Sequence, residues 1–137
     1  MPYQKTLKFL TKGKQFINIT HEIQNLVKES GIGTGLCCLF IKHTSASLLI
    51  QENADPDVLR DLEFFMSRMI KPHEQGFRHT TEGQDDMPAH IRSALTHTSE
   101  QIPVTQGRLN MGIWQGIYLW EHRDHGSTRE VVVHILG

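Results

Sequence analysis

The alternation of apolar and polar residues along the chain predicts a protein built mostly of short strands. Residues 3–10 and 16–19 have the composition of strands, and residues 35–41 form an almost uninterrupted apolar run. A run of this kind is typical of a central strand that is covered on both faces. Near the C-terminus, residues 113–121 and 129–136 predict two further strands. The predicted fold is therefore rich in β-structure.

Apolar residues recur at helical spacing in three other segments. The first predicts a helix over residues 20–30, with Thr20 as its N-cap and a glycine at its end. The second predicts a helix over residues 56–69, with Asp55 as its N-cap. The third predicts a helix that begins near Asp86. Helices and strands therefore alternate irregularly, as in α+β proteins.

The connections between the predicted strands decide the fold class. Most are turns too short for the crossovers that parallel strands need. We therefore predict a single α+β domain over residues 1–137, with about seven strands and three helices in an antiparallel sheet or sandwich. Residues 99–103 are expected to end the third helix, with a returning strand only from residue 104. Two-sided apolar strands in so short a chain also indicate that another subunit covers one sheet face.

Residues 77–97 hold the densest concentration of candidate chemistry. His79 and His90 lie in one window with three carboxylates, those of Glu82, Asp85 and Asp86. Asp85 or Asp86 can cap the third helix, and the positive end of the helix dipole keeps His90 neutral, the form that binds a metal. This spacing is compatible with a metal site. It is equally compatible with acids that only cap the helix and histidines that are solvated.

A second polar segment directly follows the apolar run over residues 35–41. His43, Ser45 and Ser47 lie at or near this strand end, where small residues leave the backbone open and hydroxyl groups can donate to phosphate oxygens. The alternative is an ordinary turn rich in serine and threonine, with His43 as a surface residue.

Two polar residues occupy apolar positions of the strand predicted over residues 113–121. Alternation places Gln115 and Glu121 on the same face as aliphatic side chains. An amide or a carboxylate is costly to bury without a partner. We therefore expect both to contact a ligand, a metal or a partner such as Arg129. For Glu121, a salt bridge at the end of the strand is an equally good explanation.

Composition narrows the classes of function. The 137 residues include Lys+Arg 14 and Asp+Glu 15, which gives a net charge of −1. Such a balance argues against nucleic acid as a partner and favours a small substrate. No apolar run approaches the length of a membrane span, and the N-terminus lacks a signal peptide, so we predict a cytoplasmic protein without a membrane partner. The adjacent Cys37 and Cys38 are expected to be reduced.

Several motifs, taken in order, resemble the YjbQ family. They are His43-Thr-Ser-Ala-Ser-Leu48, Glu52-Asn53, His79 with Glu82-Gly83, Asp85-Asp-Met-Pro-Ala-His90, Gly107-Arg-Leu-Asn-Met-Gly-Ile-Trp-Gln115 and Glu121-His-Arg123. The resemblance implies a β-rich α+β fold, a homotrimer and the activity of a secondary thiamine-phosphate synthase. Three positions depart from the common pattern. Phe77 replaces a tyrosine, Ile113 a threonine and His97 a glycine, and the first two changes remove hydroxyl groups.

The resemblance also implies roles for individual residues. His43, His79 and His90 would hold a divalent ion, zinc or magnesium, with an open coordination position. Ser45, Ser47 and Arg129 would position the anion of a small phosphorylated metabolite. The catalytic group would comprise Glu121, Asp86, Arg129 and Gln115, which orient the ligands, contact the substrate or move a proton.

Two other classes of function remain open at this stage. One is a metal-dependent hydrolase of a small phosphorylated or acyl metabolite, in which the same histidines activate water. The other is a trimer without enzymatic activity that binds a metal or a metabolite. An open coordination position would favour an enzyme, whereas a site closed by four protein ligands would favour binding alone.

Overall fold

The computed structural model describes residues 2–72 and 74–137. It contains eight strands and three helices, which confirms the predicted α+β class. In chain order they are β1 (Tyr3–Leu10), β2 (Gln15–Asn18), α1 (Thr20–Ser30), β3 (Gly35–Ile41), β4 (Ala46–Glu52), α2 (Pro56–Met69), α3 (Asp86–Leu95), β5 (Ser99–Thr105), β6 (Arg108–Leu109), β7 (Gln115–Glu121) and β8 (Thr128–Leu136). Within the described residues, no helix combines the length and the apolar character needed to cross a membrane.

The strands form two antiparallel sheets. Five strands pair in the order β1-β8-β3-β5-β6, and three pair in the order β2-β7-β4. The prediction that residues 99–103 only end the third helix is wrong, because they belong to β5 and pair with β3. In β5 the buried Ile102 and Val104 alternate with exposed neighbours. Pro103 obscured this alternation in the sequence, since proline is rare within strands.

The main core lies against β3, β8 and α1. Inward side chains of β3 and β8 alternate with outward ones, and Ile23, Leu26 and Val27 of α1 join the same cluster. Each fully buried aliphatic side chain contributes about 1.5–3 kcal/mol to the free energy of unfolding. The outer face of β3 remains partly open in this chain, because Phe40 is 51% exposed. Cys37 and Cys38 are free thiols, as predicted.

The strand predicted over residues 113–121 begins later than expected. Ile113 and Trp114 precede β7 and are exposed. Gln115 is also exposed, and its Oε1 accepts a hydrogen bond from the backbone N–H of Gly112 at 2.7 Å. The prediction that Gln115 is buried among aliphatic side chains is therefore wrong. A turn that begins at Gly112 precedes the strand, and the side-chain amide of Gln115 closes that turn with its hydrogen bond.

The predicted N-cap of α2 is confirmed, whereas that of α3 is not. Asp55 caps α2 as predicted, because its Oδ1 accepts from the backbone N–H of Asp57 at 2.9 Å. The predicted cap of α3 is wrong, since Asp85 occupies the N-cap position without a side-chain capping hydrogen bond. Its Oδ2 accepts instead from Arg123 Nε at 2.9 Å and from the backbone N–H of Asp124 at 2.8 Å. A charged partner from a distant turn outcompetes the local backbone.

A buried ion pair joins the two sheets. Glu121 on β7 is 0% exposed, and Arg129 on β8 is 5% exposed. Arg129 Nε donates to Glu121 Oε1 at 2.8 Å, and the hydroxyl of Thr11 donates to the same oxygen at 2.6 Å. The other carboxylate oxygen accepts from Arg129 Nη2 and from the backbone N–H groups of His122 and Arg123. Of the two explanations offered for Glu121, the structure shows the salt bridge.

The hydrogen bonds of this pair keep Glu121 ionised. Burial by itself raises the pKa of a carboxyl group, but the donors from Arg129 and Thr11 outweigh burial and hold the pKa of Glu121 below its usual value. A carboxylate with a lowered pKa in the folded state stabilises the fold above its unfolded pKa. That contribution is lost as the pH falls through the folded value.

The Glu121→Gln substitution tests this structural role. It keeps the shape of the side chain but leaves the buried charge of Arg129 without its counter-ion. We expect the free energy of unfolding to fall by about 3–5 kcal/mol, measured by urea denaturation at neutral pH. The control is Glu29→Gln, which removes a surface pair with Lys5 and should leave the stability close to that of wild type. Equal stabilities of Glu121→Gln and wild type would contradict the structural role.

Candidate metal centre

His79, Asp86 and His90 converge on one point of the surface. One ligand atom from each residue lies within 4.8 Å of the other two. His79 Nε2 is 2.6 Å and His90 Nε2 is 3.0 Å from the same oxygen, Oδ2 of Asp86. Two imidazoles and one carboxylate are a ligand set that zinc and other first-row divalent ions use.

Local structure explains how this cluster, His79–Asp86–His90, is assembled. Asp86 and His90 are four residues apart on α3 and therefore project from one face of the helix. His79 approaches from the loop that precedes the helix. Arg123 Nη1 lies 2.8 Å from Asp86 Oδ1, which orients the other oxygen towards the histidines. The three groups are thus held by one helix, one loop and the turn after β7.

The protonation of His90 follows from its partners. Its Nδ1 lies 2.9 Å from the backbone carbonyl oxygen of Thr44, which can only accept a hydrogen bond. Nδ1 therefore carries a proton, and in the neutral ring Nε2 is an unprotonated acceptor. That nitrogen faces the carboxylate of Asp86, which is also an acceptor when ionised. Only a second proton on His90 or a cation between the two groups makes this arrangement favourable.

The cluster fits a metal ion in spacing and in surroundings. Zinc bonds of about 2.0–2.1 Å in tetrahedral geometry separate ligand atoms by roughly 3.3 Å, slightly more than the spacings to Asp86 Oδ2. A histidine that donates its second nitrogen to a carbonyl and a carboxylate held by an arginine are the usual supports of metal ligands. Asp86 is only 7% exposed at its side chain, whereas His79 and His90 are 43% and 31% exposed. The cluster therefore opens outward.

The two neighbouring carboxyl groups are ionised. Burial opposes ionisation of Asp86, but the hydrogen bond from His79 and the charge of Arg123 outweigh it and lower its pKa. Burial likewise opposes ionisation of Asp85, yet the hydrogen bonds from Arg123 and the Asp124 backbone lower its pKa to about 2. Two carboxylates beside one guanidinium leave a negative charge that a cation would balance.

His43 does not join this cluster, so the predicted group of three histidines does not form. His43 Nε2 accepts from the backbone N–H of Glu130 at 2.8 Å, and its Nδ1 lies 3.3 Å from Arg129 Nη1. Burial and the charge of Arg129 lower the pKa of His43. The end of β3 thus delivers His43 to β8, while the carbonyl of the next residue, Thr44, supports His90.

The two predicted anion-binding serines lie inside the fold. Ser45 Oγ accepts from Arg129 Nη2 at 2.9 Å. Ser47 is 0% exposed, and its Oγ lies 2.8 Å from His122 Nε2. Both serines are at most 9% exposed, and each hydroxyl group already has a partner within the chain, so their predicted contact with a substrate does not fit this arrangement. Glu121 and Arg129 are likewise buried and are not among the residues of the cluster, and Gln115 closes a surface turn.

Sequence reasoning missed Arg123 and His122 as parts of the site region. Nothing local in the sequence predicts that Arg123 binds two carboxylates, because these contacts depend on the fold. His122 is fully buried between Ser47 and the ring of Trp120, and burial lowers its pKa to about 3. The sequence feature that could have indicated both residues is the Glu121-His-Arg123 motif, in which only Glu121 was given a role.

An open groove borders the cluster on the side of His79. Its volume is about 410 Å³, and its lining comes mostly from the loop before α3: residues 74–77, 79, 80, 83, 84 and 87. Phe77 is among these residues. The hydroxyl group that a tyrosine would carry at this position is therefore lost beside the groove.

Comparison with known proteins agrees with the fold and the motifs. The family model described as UPF0047 protein YjbQ-like matches residues 5–137. A UPF0047 protein of Synechocystis sp. is 56% identical over 135 residues, which cover 98% of this chain and 92% of that protein. YjbQ of Escherichia coli is 44% identical over 138 residues, with 100% and 99% covered.

A solved structure supports the same assignment. The crystal structure of an uncharacterized conserved protein of the YjbQ/UPF0047 family from Clostridium acetobutylicum superposes with a TM-score of 0.84. It is 38% identical in sequence and covers 98% of this chain and 99% of its own. Since the family model, the sequence relatives and the fold all agree over nearly the whole length, the chain belongs to the YjbQ family.

Proposed function

We propose that this protein is a divalent-metal-dependent enzyme that acts on a small phosphorylated metabolite. The observation that carries the proposal is the convergence of His79 and His90 on one oxygen of Asp86, with the outer side of the cluster open. A purely structural ion is normally enclosed by four protein ligands, whereas a catalytic ion keeps an open position. The imidazole ligands favour zinc over magnesium, which prefers oxygen ligands.

The chain's own residues have distinct tasks in this proposal. His79, Asp86 and His90 hold the ion, which supplies a Lewis acid that polarises a phosphoryl oxygen or lowers the pKa of a water molecule. Arg123 keeps Asp86 ionised and aimed at the histidines. The Thr44 carbonyl fixes the tautomer of His90. The groove beside His79 provides room for the substrate.

The specific reaction we propose is the thiamine-phosphate synthesis that the family resemblance implies. In it, the ring nitrogen of a thiazole phosphate attacks the methylene carbon of a pyrimidine pyrophosphate. A carbon–nitrogen bond forms, the carbon–oxygen bond breaks, and the electron pair leaves with pyrophosphate. A cationic centre with an open side suits this step, because negative charge develops on the departing pyrophosphate.

Hydrolysis of a phosphorylated metabolite is the second candidate. The open side of the cluster favours it, since two histidines and a carboxylate are the ligands of several zinc hydrolases that bind water at the remaining position. A trimer that only binds the metal or a metabolite is the outcome if neither reaction occurs.

We also propose that the chain assembles as a homotrimer. Support comes from large apolar side chains that this single chain leaves exposed. Phe64, Phe65 and Met69 of α2 are each at least half exposed, as is Phe40 on the outer face of β3. Large exposed apolar side chains of this kind are typical of contacts between subunits.

The metal site is tested by removing its ligands. We expect His79→Ala and Asp86→Asn each to lower bound zinc at least tenfold, because each removes one bond to the ion. Elemental analysis after equilibration with zinc and dialysis measures the stoichiometry. His21→Ala, at an exposed position of α1, is the control and should retain the metal. Unchanged zinc content in both cluster variants would overturn the metal site.

Turnover is tested with the zinc-loaded protein and the two phosphorylated halves of thiamine phosphate. We expect formation of thiamine phosphate with an equal amount of pyrophosphate, abolished by a chelator and restored by zinc. His90→Ala should lower the rate by about 10²-fold or more, whereas His21→Ala should not. Release of inorganic phosphate from either half alone would support hydrolysis, rather than synthesis, as the function. Zinc binding without either product would leave binding as the function.

The oligomeric state is tested by light scattering over a range of protein concentrations. A homotrimer should give about three times the chain mass of 15.7 kDa, independent of concentration in the micromolar range. The result that contradicts the trimer is a mass of one chain at these concentrations.

A further inference from the structure

The guanidinium group of Arg129 has one nitrogen without a suitable acceptor among the described residues. Arg129 is 95% buried, because its exposed fraction is 5%. Its Nε donates to Glu121, and its Nη2 donates to Glu121 and to Ser45. The remaining nitrogen, Nη1, has His43 Nδ1 as its contact, at 3.3 Å.

The partners of His43 determine which of its nitrogens carries the proton. The backbone N–H of Glu130 donates to Nε2 at 2.8 Å, so Nε2 must be the unprotonated nitrogen. A neutral imidazole then carries its proton on Nδ1. The Nδ1–H of His43 and the Nη1–H of Arg129 therefore face each other as two donors. Two adjacent donors repel unless an acceptor atom lies against both.

We propose that His43 and Arg129 form an oxyanion subsite, in which one oxygen of a phosphate group accepts from His43 Nδ1 and Arg129 Nη1. A phosphate oxygen supplies the acceptor that both donors need, and hydrogen bonds to a charged group are the stronger kind. Because Glu121 neutralises the charge of Arg129, the subsite orients a phosphate group through hydrogen bonds more than it attracts the group by net charge. We therefore expect weak binding of free phosphate, which saturates only at high phosphate concentration.

The subsite also has a defined place beside the metal centre. Thr44 directly follows His43, and its carbonyl oxygen contacts His90 Nδ1. The subsite and the cluster His79–Asp86–His90 are therefore linked through the backbone of residues 43–44. A substrate that spans both would carry a phosphate group at one end and its reacting group at the other. This statement about the substrate rests on the proposed function, whereas binding of phosphate does not.

The experiment uses full-length protein freed of metal by a chelator and titrated with inorganic phosphate. Long-range proton–nitrogen NMR spectra of the histidine rings report the tautomer of His43 and its response. We expect an Nδ1–H tautomer without phosphate and a saturable shift of both ring nitrogens with it. Acetate, titrated in parallel, shows whether a carboxylate is accepted equally well, which would widen the ligand class from phosphates to oxyanions in general.

Two substitutions of His43 provide a matched pair. His43→Asn keeps a donor near the position of Nδ1 and should retain phosphate affinity within about threefold. His43→Gln keeps the acceptor for Glu130 but removes that donor, and should weaken phosphate binding about tenfold or more. Thermal melting verifies that both variants are folded. The pair avoids Arg129, whose replacement would unpair Glu121.

Three results would overturn the subsite. They are an Nε2–H tautomer of His43 in the folded protein, no saturable response of wild type up to about 50 mM phosphate, or equal phosphate affinity of His43→Gln and wild type. Zinc binding is measured separately in phosphate-free buffer. If the protein binds phosphate but not zinc, the subsite is supported and the metal-dependent function is contradicted. If it binds zinc but not phosphate, only the subsite is contradicted.

Discussion

The buried ion pair of Glu121 and Arg129 is the interaction on which the candidate site depends. It links the three-stranded sheet to the five-stranded sheet at the point where both approach the site. The two charges are removed from water almost completely, so each is tolerable only because the other is present and fully hydrogen-bonded. The pair therefore makes the relative position of β7 and β8 specific, beyond what apolar packing alone requires.

Each half of this pair positions a different group of functional side chains. The carboxylate of Glu121 accepts from the backbone N–H of Arg123, and the guanidinium of Arg123 then binds Asp85 and Asp86. The guanidinium of Arg129 instead faces His43. The proposed metal ligand Asp86 and the proposed oxyanion donors are thus connected through one buried salt bridge. Loss of this salt bridge would therefore disturb the positions of Asp86 and of the oxyanion donors together.

The three residues of the cluster differ in how firmly their surroundings hold them. Asp86 lies on a helix and is held by Arg123, and His90 is fixed by the carbonyl of Thr44. His79 belongs to a loop and is the most exposed of the three, next to the groove. A site built this way can keep two ligands preorganised while a substrate enters beside the third.

Local patterns in the sequence were sufficient for most of the secondary structure and for part of the site. Helical spacing predicted α1 and α2, and Asp55 caps α2 because a cap needs only its own neighbours. The i,i+4 spacing of Asp86 and His90 puts them on one face of the helix, which follows from helical geometry alone. These features depend on residues that are close in the chain, so the sequence alone determined them.

Only the tertiary structure decided which distant groups meet. His43 turned to Glu130 and Arg129 rather than to the other histidines, and Asp85 bound Arg123 rather than the helix start. Gln115 stayed at the surface because a turn, not the alternation of the strand, set its environment. Each outcome is a competition between a local partner and a partner far along the chain. Charge and burial in the folded state settle that competition, and neither can be read from the spacing of residues.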